Sequence, residues 1–420
     1  MKPSREFLLL TSIGSALLFL SLPAQAGDTP ESLIKEGDFF GEIRYRYEFV
    51  DQNGPAPVTD DTKAGTVRTN IGFKTGKYRD FQALLEGQIV QNVGANDFND
   101  TVNGQTNFPV VADPDNEEIN QAWLSWSGIE GVEVKLGRQG INLDNQRFIG
   151  TVDWRQNDQT FDSVVFNYSG IEKANLSYGY IGNVNRIFGD DHPLGDLDST
   201  SHFANASYAF TDWLKVTGYG YLFEFDRLAA RSSQTFGLRG TGKTQINENW
   251  SFAYEAEAAT QSDRGNNTAS YDEEYYHIAP SVSGYGFTFG AGYEVLGGDG
   301  ANAFQTPLAT LHKFNGWADK FLDTPAAGLE DAYVSASYKV TGLNKAVDGT
   351  TLTAVYHDFN GVESGDFGSE FDASVGKSFE LPKELPFEKF NILVKYADYN
   401  ADDAPYTDTQ KFWLQVGVNF

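Results

Sequence analysis

Apolar and polar positions alternate with a period of two along much of this chain. Ile43, Tyr45, Tyr47 and Phe49 interleave with Glu42, Arg44, Arg46 and Glu48. Val67, Thr69, Ile71 and Phe73 interleave with Arg68, Asn70, Gly72 and Lys74. At the far end Phe412, Leu414, Val416, Val418 and Phe420 share one face, and Lys411, Trp413, Gln415, Gly417 and Asn419 the other. Such alternation marks a β-strand with two unlike faces. A soluble sandwich would turn the charged face to water. A membrane barrel turns it to the lumen and gives the apolar face to lipid.

The pattern predicts about 18 strands, with 16 as the alternative count. After the first two, they fall near residues 80–91, 117–127, 131–139, 161–169, 173–184, 200–210, 213–224, 233–243 and 249–261. The rest fall near 273–283, 286–297, 329–340, 350–360, 368–379, 389–399 and 410–420. Connections mostly alternate short and long. The long ones are 92–116, 140–160, 184–199, 262–272 and 298–328. Outer-membrane barrels have short periplasmic turns and longer extracellular loops. That parity predicts both termini in the periplasm. The turns 341–349 and 380–388 are longer than the rule expects. The fold class expected is therefore all-β, a transmembrane antiparallel barrel with inward-folded extracellular loops. Its final aromatic, Phe420, resembles the signal that outer-membrane proteins present to their assembly machinery.

The start of the chain agrees with export. Lys2 and Arg5 precede an apolar run from Phe7 to Leu22, and Ala24-Gln25-Ala26 reads as a cleavage site before Gly27. Residues 1–26 are expected to be removed, leaving 27–420 as one barrel domain in the cell outer membrane. Beyond Gly27 no stretch nears the roughly 18 apolar residues of a membrane helix. The mean hydropathy of −0.40 would ordinarily mean a soluble protein, but a barrel exposes only alternate residues to lipid. An aromatic content of 14% suits interfacial girdles, and 43 glycines suit many tight turns. With no cysteine, disulfides and thiolate metal sites are impossible. A formal charge of −27 argues against a nucleic-acid partner. Acids crowd positions that read as loops, such as Asp113, Asp115, Asp190, Asp191, Asp196 and Asp198. Net charge therefore does not report lumen charge. Cations on polar strand faces include Arg44, Arg46, Arg68, Lys74, Lys135, Arg239, Lys243, Lys395 and Lys411.

The densest candidate chemistry lies between the fifth and sixth strands. Arg138, Arg147 and Arg155 are interspersed there with Asp144, Asp153, Asn157 and Asp158. Phe148, Ile149, Val152, Trp154 and Phe161 accompany them, and such residues predict a loop packed inward on the wall. The three arginines would then sit near a constriction, held by Asp144, Asp153 and Asp158. Arginine suits it because its planar fork binds carboxylates through two hydrogen bonds. The competing reading is that these charges only staple the loop in place. Arg44, Arg46, Arg68 and Arg239 are the wall cations expected to line the pore. Wall acids such as Glu42, Glu48, Glu86 and Glu133 could instead neutralise them. No cofactor or metal ion is expected. The acidic run 190–198 lacks the spacing of an EF-hand. Neither G-x-S-x-G nor H-E-x-x-H occurs, so a rim hydrolase is the weakest reading.

The runs Gly137-Arg138-Gln139, Arg147 to Asn157 and Gln159 to Asp162, with a supporting stretch from Phe304 to Asp319, resemble the alginate-export family of outer-membrane proteins. The resemblance implies an 18-stranded barrel with a basic, loop-constricted pore that passes an anionic polysaccharide. It implies outer-membrane lipid and lipopolysaccharide as surroundings. A porin for small solutes, such as carboxylates or aromatics, is the alternative. The strongly acidic overall balance departs from the basic pore that the resemblance implies.

Overall fold

The computed structural model describes residues 29–420 apart from Asn53 and Pro55. The expected export signal lies outside the described residues. A single helical turn, Ser32–Lys35, precedes 18 strands. They are β1 (Asp38–Gln52), β2 (Thr62–Lys74), β3 (Phe81–Asp97), β4 (Asn116–Trp126), β5 (Val132–Gln139) and β6 (Thr160–Tyr168). Next come β7 (Ala174–Asn185), β8 (Asp196–Thr211), β9 (Leu214–Phe223), β10 (Ser233–Gln245), β11 (Trp250–Asp263) and β12 (Asp272–Gly284). The last are β13 (Phe287–Leu296), β14 (Leu329–Lys339), β15 (Thr351–Asn360), β16 (Asp366–Glu380), β17 (Lys389–Asn400) and β18 (Thr409–Asn419).

Every strand pairs antiparallel with its sequence neighbours, and β1 pairs with both β2 and β18. The closing register runs from Glu42↔Asn419 to Gln52↔Thr409. The sheet is therefore a closed barrel with no free edge. Of the two strand counts, 18 is the one realised. No helix among the described residues is long and apolar enough to cross a membrane.

Burial runs opposite to that of a soluble protein. Arg44, Arg46, Glu48 and Arg68 are buried, while Ile71 is 47% and Leu238 63% exposed. The strands turn charge inward and hydrocarbon outward. At the end of the barrel that carries the short turns, Phe210, Trp213, Tyr285 and Phe287 stand exposed, as an interfacial aromatic girdle requires. Strand β3 runs further than expected, into the segment read as a long loop. Its end pairs with β2 at Lys63↔Asp97, so backbone pairing continues past the apolar band.

The main hydrophobic core sits in the lumen. Phe148, Ile149, Phe304, Leu308 and Phe321 from two connections pack with Tyr219, Tyr221, Tyr275, Phe359 and Tyr399 of the wall. Those connections, 140–159 and 297–328, fold inward at the end opposite the short turns.

Candidate functional site

The first inward loop has two unlike halves. Residues 141–149 carry the apolar side chains. The Phe148 ring lies 5.2 Å from that of Tyr219, 5.5 Å from Tyr221, 5.6 Å from Tyr275 and 6.1 Å from Phe304. Residues 152–158 carry the polar ones and are pinned to β1–β4. Arg44 donates from Nε to Gln156 Oε1 at 3.0 Å and from Nη1 to the Asp153 carbonyl at 2.9 Å. Arg46 donates to the Trp154 carbonyl, and its guanidinium lies 4.0 Å over that indole. Arg68 pairs with Asp158 at 2.7 Å and also with Glu42.

Backbone strain marks the crossing between the halves. Val152, a β-branched residue, adopts φ 52°, and Asp144 and Gln146 are also left-handed. The Val152 amide donates to Thr310 Oγ1 at 3.1 Å. Here the second loop meets the first. Gly150 donates to the Leu308 carbonyl at 2.9 Å, and Gln159 bridges the Gly150 and Leu308 carbonyls at 2.9 and 3.2 Å. A Cβ at Gly150 would come within 2.3 Å of Thr310 Oγ1, so only glycine allows this approach.

A second junction centres on His312. Its ring stacks on Trp154 with centroids 4.2 Å apart and planes 7° from parallel. Nδ1 lies 2.8 Å from Asp319 Oδ1, and Nε2 lies 2.7 Å from the Lys395 ammonium. An ammonium can only donate, so Nε2 accepts and the proton sits on Nδ1, facing the carboxylate. Burial and the Lys395 charge lower the His312 pKa to about 3, against the pull of Asp319. Burial alone would raise the Asp319 pKa, but His312 and Lys411 outweigh it and hold the carboxylate charged. Lys411 pairs with Asp319 at 3.2 Å.

The loop arginines do not take the partners expected from sequence. Arg138 lies on β5 and pairs with Asp162 at 2.9 Å. Arg147 pairs with Glu294 at 2.9 Å, and Arg155 lies 3.4 Å from Glu48, 3.5 Å from Asp113 and 3.9 Å from Asp319. Asp158 goes to Arg68, and Asp144 accepts from Asn205 at 2.7 Å. The left-handed turns at Asp144, Gln146 and Val152 send successive side chains to different walls, so neighbours in sequence do not pair. Asp153 is exposed, while its carbonyl takes Arg44. Asn157 is buried and donates to the Pro114 carbonyl at 3.1 Å.

Arg44, Arg46, Arg68, Arg147, Arg155 and Asn157 are thus gathered around the loops. Arg138 stands apart, and Arg239 pairs elsewhere, with Glu257 at 2.9 Å and with Glu255. Sequence reasoning missed Asp113, Gln156, His312 and Asp319 as site residues. For the last two, the only signal was their place in the stretch 304–319. Among the described residues, no group of three or more His, Cys, Asp or Glu side chains is arranged to hold a metal ion.

Above the two loops a cavity of about 730 Å³ opens at the barrel mouth. Arg155, Arg186, Arg231, Lys320 and Lys411 line it, with Asp319 and Asp323. Its remaining walls are largely apolar, from Val58, Phe108, Val110, Ile187, Leu228 and Leu322.

No curated protein sequence matches the chain. Solved structures do share its fold. OccAB2 of Acinetobacter baumannii superposes with a TM-score of 0.72 at 15% identity, over 93% of this chain and 99% of that one. OccK9 (OpdG) of Pseudomonas aeruginosa gives 0.71 at 16%, over 93% and 100%. The outer membrane protein opdK of Pseudomonas aeruginosa gives 0.69 at 15%, over 91% and 98%. At such identity the likeness speaks for the fold alone. Sequence goes further, because a family model described as alginate export matches residues 36–310, well over half the chain. This closed, charge-lined barrel, with its two inward loops, belongs to the alginate export family of outer-membrane proteins.

Proposed function

We propose that the protein is a passive channel for anionic solutes, narrowed by the loops 140–159 and 297–328. The observation that carries this reading is the mouth cavity. Five of its seven charged lining residues are cations, and it lies directly on the two-loop junction. Cations in a low-dielectric tube concentrate anions and set ion preference. As a passive channel it would use only the solute gradient.

Family membership supports an anionic saccharide of the alginate type as cargo. In that role Arg155, Lys411 and the wall cations Arg44, Arg46, Arg68 and Arg239 supply the positive field, while Arg147, Asp144 and Asn157 help set the shape of the loop. The geometry favours a second reading, small carboxylates or aromatic solutes. The loops are joined by backbone hydrogen bonds across the lumen, and the cavity walls are mostly apolar. A rim hydrolase gains no support. Among the described residues, the histidine rings bond to carboxylates, tyrosines, a lysine and a backbone amide, never to a serine or threonine.

Planar-bilayer recording tests the proposal. The expected result is an anion-preferring current, blocked by uronate oligomers or by simple carboxylates in direct competition. A strongly cation-selective current would sink it. The stronger blocker decides between the two cargoes.

A further inference from the structure

The cations of the mouth cavity are not equivalent. Arg155 is surrounded by Glu48, Asp113 and Asp319, Lys411 is paired with Asp319, and Arg231 is paired with Asp323 at 2.6 Å. Arg186 and Lys320 have no carboxylate within ion-pair distance among the described residues. Arg186 makes one long side-chain hydrogen bond, to the Leu194 carbonyl at 3.5 Å, and its guanidinium lies 4.6 Å from the Phe188 ring centroid. The acid that acts on it, Asp323, is engaged by Arg231. Lys320 donates to Thr409 Oγ1 at 2.9 Å, lies 5.4 Å from the Tyr399 ring and is repelled by Lys411. The acids acting on it from a distance are Glu370 and Asp408, and Glu370 already accepts the Ala318 amide at 2.7 Å.

Around these two charges much of the wall is hydrocarbon. Val110 is 52% and Leu322 48% exposed at the cavity, and Phe108, Ile187 and Leu228 complete the surface. A volume of about 730 Å³ lies within the usual range for small-molecule pockets, about 300–1,000 Å³. A hydroxyl-rich uronate would set part of its polar surface against this hydrocarbon, which is unfavourable. An anion with an apolar body would meet both kinds of surface at once.

We propose that the mouth cavity is a binding site for a compact organic carboxylate with an apolar body, with Arg186 and Lys320 as its charge partners. The proposal rests on the anion-channel reading and names the class of solute that this channel captures first. Burial works in its favour. It lowers the Arg186 guanidinium to about 10 and the Lys320 ammonium to about 8, and an arriving carboxylate relieves both.

The test uses the full-length barrel and three probes: cyclohexanecarboxylate, acetate and a uronate dimer. Calorimetry on detergent-solubilised protein measures binding, and bilayer current measures conduction. Cyclohexanecarboxylate is expected to bind at least about tenfold more tightly than either other probe, because all three carry a carboxylate and only its ring buries a large apolar area. Arg186→Gln and Lys320→Gln should each weaken it about tenfold, and Arg186→Lys should restore most of the loss. Leu322→Asn should lower the preference over acetate while leaving acetate unchanged. Equal binding of all three probes overturns the site, as does tight binding that ignores both Gln variants. Absence of current would sink the channel reading instead, and calorimetry still decides the site.

Discussion

The two halves of the loop 140–159 hold on to the barrel by different physics. Residues 141–149 press Phe148 and Ile149 into an aromatic cluster of the wall. That contact is non-directional and gains free energy with the area buried, about 1.5–3 kcal/mol for a large side chain. Residues 152–158 instead present a ladder of directional bonds to Arg44, Arg46, Arg68 and Asp113. Buried ion pairs of that kind return little net stability, because desolvation offsets the attraction, yet breaking one is costly. The apolar half therefore supplies adhesion, and the polar half supplies position. A channel needs both, since an anchored loop in the wrong place would not set a constriction.

The sharpest way to break the contrast is to remove one member of each half. Arg155→Ala leaves Glu48, Asp113 and Asp319 without their shared cation and should cost about 3–5 kcal/mol of local stability. Hydrogen exchange should then rise across 152–158 before it rises at 141–149. Phe148→Ala should cost a similar or slightly smaller amount, about 3–5 kcal/mol if the gap does not refill, and should free the apolar half first. The opposite order of exchange in the two variants would show that the halves do not act separately.

A smaller effect is expected where the two inward loops meet. Gly150→Ala puts a methyl group on Thr310 Oγ1 and should destabilise the junction by about 1–3 kcal/mol. Adding Thr310→Ala should recover part of the loss, and a double-mutant cycle measures the coupling. No recovery would mean that the contact has slack.

The smallest effect is pH dependence at His312, whose neighbours are Asp319, Lys395, Arg155 and Trp154. Its folded pKa lies below the free value, so the fold favours the neutral ring. The stability this gives is complete above about pH 6.5 and is lost as pH falls toward 3, by at most about 1.4 kcal/mol per unit. The Asp319 pKa is also lowered, so its dependence has the same sign but acts only below the free carboxylate value, and His312 governs the range from about 6 to 4. Exchange protection of 297–328 should fall across that range in the native chain and stay level in His312→Asn.

Much of the wall was legible from spacing. The alternation Glu42 to Phe49 places Arg44 and Arg46 inside, as found, because side chains on a strand must alternate. The apolar content of 148–154 pointed to an inward loop, and that loop is there. Its partners were not legible. Arg147 reaches Glu294, and Arg155 reaches Glu48, from strands far away in sequence. The loop changes direction at three left-handed residues, and no periodicity predicts where each side chain then points. His312 gave still less warning. In sequence it is a lone histidine; in space it joins Trp154, Asp319 and Lys395.

By itself, then, the sequence determined the barrel, its strand count to within two, which face of each strand meets lipid, and which connections are long. These follow from local rules, since period-two alternation and turn chemistry act between near neighbours. Only the tertiary structure decided which charges are satisfied and which remain open to a solute. That depends on closure of the sheet and on two loops meeting across it. Arg155 and Arg186 are the same residue type, and only the fold surrounds one with carboxylates and leaves the other facing a cavity.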